Sequence, residues 1–347
     1  MREAVIVICD LYLKPGELAA EPAQPLAALA FSGRFGARER LPSGWREWLS
    51  GWLGHPELAR APVAQVAAAA LRDPYAGATR WIATPVELLA GLTRVHLERR
   101  GLVQLSEPEL TQLTASFART FGGSGLALAP LGDGQLLLAT PGIAPVAASE
   151  PARSAGGVLE VPQGPAAATL LRLRAEIEMW LHAEPLNDAR RARGAPPVSA
   201  LWLWGATGDV TAVDERNSQS GVNGGARPAT VTVAFGSDAF LAGLCCLTGT
   251  PLAPLPADPG AVFASAAAER LALVVAMAGQ LAPEESWSLP AAAAALERRL
   301  IAPALAALRQ GALARLTLIA SDTRVTLTRY SGLKRWRRAR AGLAAFA

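Results

Sequence analysis

From residue 200 onward the chain alternates two patterns that cannot share one geometry, and this constrains the fold more than any other feature. "ALWLWG", "ATVTVAFG" (229–236), "LALVVAM" (271–277), "ARLTLIA" and "RVTLTRY" are short apolar or alternating runs that read as strands. Between them lie "SDAFLAGLCCLTG", "DPGAVFASAAAER" and "LPAAAAALERRLIAPALAALRQG", which carry helical spacing and helix caps. The caps are Ser237 or Asp238 for the first and Asp258 with Pro259 for the second. Pro303 is expected to bend the third, and Gly311 to end it. Strands alternating with helices imply an α/β sheet with helices on both faces. The last two strands, joined by "SDT", imply a terminal β-hairpin.

The first half is consistent with that class. "AVIVIC", residues 4–9, is a continuous β-branched run, hence a strand buried on both faces that ends at Asp10. Trp45, Trp48 and Trp52 fall on one helical stripe with Ser43 as cap, and core packing is their reading. Ser106 and Glu109 form a capping box for a helix that Gly122 is expected to close. "GDGQLLLAT" reads as a turn and a strand. Leu170, Leu173, Ile177 and Trp180 make an apolar stripe, with Arg172–Glu176 and Arg174–Glu178 on its other side. Residues 141–166, rich in Pro, Gly and Ala, read as a connection. They divide an N-terminal α/β part (1–140) from an α/β core part (167–333), which a basic tail (334–347) follows.

Composition narrows the function classes. The chain has 347 residues, 51% of them hydrophobic, and no apolar run reaches the ~18 residues of a membrane span. The N-terminus lacks the pattern of a signal peptide. Three cysteines without a CxxC pair suit a reducing compartment, so the expectation is a cytoplasmic protein. The net charge of +4 includes five basic residues in "KRWRRAR": Lys334, Arg335, Arg337, Arg338 and Arg340. That tail is the one segment suited to nucleic acid or an acidic partner, while a solvated terminus is its simpler reading.

Chemistry is sparsely marked. His55, His96 and His182 are the three histidines, and no nucleophile elbow, Walker A or dinucleotide fingerprint is present. Asp10 is either an ordinary turn residue or the candidate catalytic residue, because ligands of α/β sheets sit beyond the carboxyl ends of strands. The second "ALWLWG" tryptophan stands at such an end. Trp204, Gly205 and the following Asp209, with Asn187, Arg190 and Arg191 from "PLNDARRARG", are therefore read as a crevice for a ligand or partner. Either both tryptophans are core, or Trp204 lines that crevice; on the second reading loss of Trp202 costs more stability than loss of Trp204.

"EIEMWLHAEPLNDARRARGAPPVSALWLWG" resembles bacterial regulatory proteins of RpfE type. It is more distantly similar to cofactor-independent, archaeal-type phosphoglycerate mutases, which carry a related Pro-Xaa-Asn, a basic run and a strand like "IWPWG". "RWIATPVELLAGLTRVHLERRGLVQLSEPEL", "GSDAFLAGLCCLTG" and "GLKRWRRAR" extend the likeness over roughly residues 75 to 340. The resemblance implies an alkaline-phosphatase-superfamily fold. The enzymes of that superfamily use two divalent metals, several histidine ligands and a Ser or Thr nucleophile. This chain has no histidine after His182, and Asp10 is followed by Leu11 rather than glycine. The implied protein is a relative that kept the scaffold and lost the metals. It would be a non-catalytic regulatory or interaction protein without a cofactor, taking a protein partner or small anion. The alternative is a metal-dependent phosphotransfer or hydrolytic enzyme with an altered site around Asp10, Asp209 and Asp214.

Overall fold

In the computed structural model, the structure describes residues 2–13, 26–71, 77–91, 94–159, 162, 167–206, 231–264, 268–277 and 287–333. Along the chain these form β1 (Glu3–Ile8), α1 (Ala27–Phe35), β2 (Ala37–Arg40), α2 (Gly44–Leu53), α3 (Val63–Ala68) and β3 (Thr79–Val86). Next come β4 (Leu89–Ala90), β5 (Val95–Leu97), α4 (Glu107–Phe121), β6 (Ala127–Gly132), β7 (Gln135–Thr140), α5 (Pro151–Ser154) and β8 (Gly157–Val158). α6 (Ala167–His182), α7 (Pro185–Ala192), β9 (Ala200–Trp204), β10 (Thr232–Phe235), α8 (Ala239–Thr248) and β11 (Leu252–Ala253) follow. The last elements are β12 (Arg270–Val275), α9 (Leu289–Leu296), α10 (Ala302–Arg309), β13 (Arg315–Ala320) and β14 (Thr323–Thr328).

The α/β class expected from the alternation is the class observed. Seven strands form the main sheet in the order β11-β10-β12-β1-β13-β14-β2. β1 lies at its centre, parallel to β12 on one side and β13 on the other. Its β-branched run explains that place. Ile6 and Ile8 face one layer, with Leu296, Leu300 and Leu305, while Val5 and Val7 face the other, with Trp45, Leu49 and Phe240. All four are essentially inaccessible, and each burial contributes about 1.5–3 kcal/mol. The terminal hairpin forms as expected, β13 against β14, through a turn with Ser321 and Asp322 at φ 49° and 57°. Two successive residues at positive φ match a turn whose twist suits a hairpin.

A second sheet, β6-β7-β3-β9, is antiparallel throughout. β9, the "LWLW" strand, is its edge and does not belong to the main sheet. Leu201 and Leu203 pack with Trp81, Leu136 and Leu138 on the side of α4 and α6. Trp202 and Trp204 face the opposite way, with Ile82, Ala64 and Tyr12, towards the main sheet. The alternation read from the sequence therefore holds, and it places the tryptophans at the seam between the sheets.

Several local expectations change. Gly122 does not end α4 in the left-handed region: its φ is −60°, a 3-10 turn follows, and Gly125 (φ 77°) takes that role. "DPGAVF" forms only a 3-10 turn, Pro259–Phe263, though Asp258 caps it by accepting from the Gly260 amide at 3.0 Å. Ser43 occupies the cap position of α2 without a side-chain hydrogen bond. Pro303 acts as expected but through a wider turn: α9 and α10 are joined by a π-helical stretch, Glu297–Ile301. Proline lacks the amide that a continuous α-helix needs and clashes with the preceding turn. Residues 141–166 contain α5 and β8 rather than a bare connection. The seven-stranded and the four-stranded sheet each take strands from both sides of that stretch.

Candidate functional site

The carboxyl end of β1 opens on a cavity of about 60 Å³ between the two sheets, room for a few water molecules or a small ion. Asp10 stands there, as the strand reading expects, and its Oδ1 accepts the Met277 amide at 2.8 Å. The loop after β10 brings Asp238, the N-cap of α8, whose Oδ1 accepts the Leu241 amide at 2.9 Å. The tight β6–β7 turn brings Asp133, which accepts the Ser237 hydroxyl at 3.1 Å. The stretch before α5 brings Glu150, and α2 brings Arg46. Thr84, Gln104, Gln135, Trp204 and Cys9 complete the polar and thiol part of the wall.

Arg46 and Glu150 form a fork-to-fork ion pair, Nη2 to Oε1 at 2.7 Å and Nη1 to Oε2 at 2.9 Å. Both side chains are largely buried. The guanidinium also lies 4.5 Å from the Trp45 ring, 5.0 Å from Trp204 and 5.8 Å from Phe240. A second pair ties the same segment down: Arg153 donates to Asp322 at 2.6 and 3.1 Å and stacks on Tyr12 at 4.4 Å. The Trp202 indole donates to the Ser149 carbonyl at 2.9 Å.

Burial controls the proton affinities. Burial raises the Asp238 pKa, Arg46 and the Leu241 amide pull it back, Asp133 and Glu150 push it up, and the net result is about 6. Cys9 is held well above the usual thiol range, first by burial and then by Asp238, Asp10, Asp133 and Glu150. It is a protonated, unreactive thiol at neutral pH. Burial would lower the Arg46 pKa, but Glu150 outweighs it and the guanidinium stays charged.

The crevice read from the sequence separates in space. Trp204 lines the cavity, its indole donating to Thr84 Oγ1 at 2.9 Å, and Thr84 in turn donating to Gln135 at 2.6 Å. Gly205 sits beside it at φ 66°, its carbonyl accepting the Ala64 amide at 2.8 Å. Asn187 and Arg190 are elsewhere and inward. Asn187 clamps the chain across α7, donating to the Leu181 and Val198 carbonyls and accepting the Val198 amide. Arg190 is fully buried, pairs with Glu109 at 2.7 Å and donates to the Pro196 carbonyl at 2.7 Å. Neither lines the cavity, because the amphipathic α7 turns both into the body. Arg191 is exposed and pairs with Asp188 at 2.9 Å. Arg174, expected on the solvent side of α6, is instead buried, 4.1 Å over the Trp202 ring. Asp209, Asp214 and the tail residues Lys334, Arg335, Arg337, Arg338 and Arg340 lie outside the described residues.

Sequence reading missed Arg46, Asp133 and Glu150 as site residues and saw Asp238 only as a cap. The cap and the "GDG" turn are local signals. Nothing local marks Arg46 and Glu150, which are 104 residues apart and meet only through the tertiary fold.

A two-metal centre does not fit the described residues. Its histidines are not at the cavity: His55 is at the surface, 3.0 Å from Glu57, and His96 and His182 are exposed. Among the described residues no three His, Cys, Asp or Glu side chains converge as a metal site requires. Each cavity carboxylate accepts at least one hydrogen bond from the protein.

No family model matches the sequence, and no curated protein does. The chain is similar to the solved structure of the cofactor-independent phosphoglycerate mutase from Thermoplasma acidophilum DSM 1728, at 14% identity. That likeness covers 94% of this chain and 90% of that one, with a TM-score of 0.37. It is also similar to the PH0037 protein from Pyrococcus horikoshii, at 13% identity over 94% of this chain and 86% of that one, with a TM-score of 0.46.

Proposed function

We propose that this chain is a non-catalytic regulatory or interaction protein on a phosphoglycerate-mutase-like scaffold of alkaline-phosphatase type. One observation carries the reading. Each carboxylate at the strand ends is engaged by the protein itself: Asp10 by the Met277 amide, Asp238 by the Leu241 amide, Asp133 by Ser237 and Glu150 by Arg46. These bonds tie each carboxylate into the fold, and no histidine stands among them in the described cavity lining. The ligand classes that go with this reading are a protein partner or a small anion, with the basic tail as a further contact for an acidic partner.

The test is metal content and turnover. Purified protein, supplied with Mn²⁺ or Zn²⁺, is expected to retain well under one equivalent and to leave 3-phosphoglycerate unchanged. Two tightly held metals per chain, with turnover that Asp10→Ala abolishes, would overturn the reading.

A second reading has its own support. Asp238, with a pKa of about 6 in a cavity, suits proton transfer near neutrality, as an enzyme with an altered site would need. Hydrolysis of a simple phosphate monoester that falls away in Asp238→Asn would favour it.

A further inference from the structure

We propose that Arg46 is a resident cation: its guanidinium occupies the charge site of the acidic cavity and thereby closes it to cations from solution. The inference rests on the non-catalytic reading of the same cavity and says what replaced an external ligand there.

Four carboxylates and one guanidinium line the cavity. Carboxylates taken out of water need a positive partner or must hold protons. Arg46 fits the first need in detail. It reaches the cavity from α2 and meets Glu150 through two parallel hydrogen bonds, 2.7 and 2.9 Å. A planar guanidinium matches a carboxylate in this way, and its weak hydration suits an aromatic enclosure. That enclosure is present in the rings of Trp45, Trp204 and Phe240. The Nε–H of Arg46 has no hydrogen-bond partner among the described residues, so one carboxylate and the surrounding rings hold the group. A hole with one carboxylate edge and aromatic walls is shaped for a flat organic cation. A metal ion drawn to the four carboxylates would meet the like charge of Arg46 in the same cavity.

Removing the side chain tests this, with guanidinium ion as the probe and urea as its neutral counterpart of the same shape. Arg46→Ala is expected to melt below wild type. Millimolar guanidinium should raise its Tm saturably and recover at least half of the loss, whereas urea and NaCl at equal concentration should not. Arg46→Lys, which keeps a charge in place, should show no guanidinium response. Wild type should show neither a guanidinium response nor saturable Mn²⁺ uptake by calorimetry. Equal rescue by urea would mean that Arg46 only fills volume, and the proposal fails. It also fails if Arg46→Ala ignores guanidinium, in melting or in refolding yield, or if wild type takes up Mn²⁺ with Arg46 in place. None of these readouts measures turnover, so phosphoglycerate conversion by wild type would sink the non-catalytic reading separately.

Discussion

Asp238 caps α8 and also sits buried among three other carboxylates, and the two roles pull on its proton in opposite directions. The Leu241 amide favours the charged form, while burial, Asp133 and Glu150 disfavour it, and the latter win. A carboxyl raised from 3.8 to about 6 on folding contributes stability that is complete below pH 4 and lost as pH rises through 6. Asparagine caps as well as aspartate and does not titrate. Asp238→Asn should therefore match wild type near pH 3 and exceed it at pH 7.5 by up to about 3 kcal/mol in urea unfolding. A difference independent of pH would rule Asp238 out as the titrating group. Glu109 behaves oppositely. Burial alone would raise it, but the Ser106 amide, Arg193 and Arg190 hold it down at about 2. Its contribution is present above pH 4.5 and lost only as pH falls towards 2, outside the Asp238 window. For the tryptophans the structure favours similar costs over the smaller cost expected for Trp204. Both are buried, at 2% and 6% exposure, and both indoles are hydrogen-bonded. Trp202→Ala and Trp204→Ala should each cost about 3–5 kcal/mol in thermal or chemical unfolding.

At the scale of elements, the contact between α3 and α8 sets where the cavity walls stand. α8 supplies Phe240 and follows Asp238, while α3 packs under the Trp204 end of β9. The two helices approach so closely that a β-carbon on Gly243 would lie 1.7 Å from the Val66 carbonyl oxygen. That oxygen belongs to the backbone and cannot turn aside. Gly243→Ala should cost about 3 kcal/mol or more. Gly249→Ala, at the left-handed cap of the same helix with nothing near it, should cost only about 1 kcal/mol. Comparing the two melting temperatures separates close packing from backbone strain.

For the whole molecule, the interleaving of the chain governs cooperativity. β1 comes first in sequence yet lies at the centre of the main sheet, between β12 and β13, its partners more than 260 residues away along the chain. The second sheet likewise joins β3 and β7 to β9. Fragments 1–140 and 141–347 should each fail to give dispersed amide spectra alone, because each would leave open sheet edges and half a core. An independently folded fragment would restore the boundary at 141–166.

What the sequence by itself determined is what depends on neighbours a few residues apart. The double-sided burial of "AVIVIC", the opposite faces of Trp202 and Leu203, the Ser106–Glu109 capping box and the terminal hairpin follow from periods of 2 and 3.6 and from cap chemistry. Those local rules also put Asp10 at a strand end. Only the tertiary structure decided which strands share a sheet, that "LWLW" is an edge strand of the smaller one, and that Asn187 and Arg190 turn inward. It alone brought Arg46 to Glu150. The physical reason is that pairing across 104 residues of chain is selected by the burial of whole faces, and no local pattern encodes which distant carboxylate a helix arginine will meet.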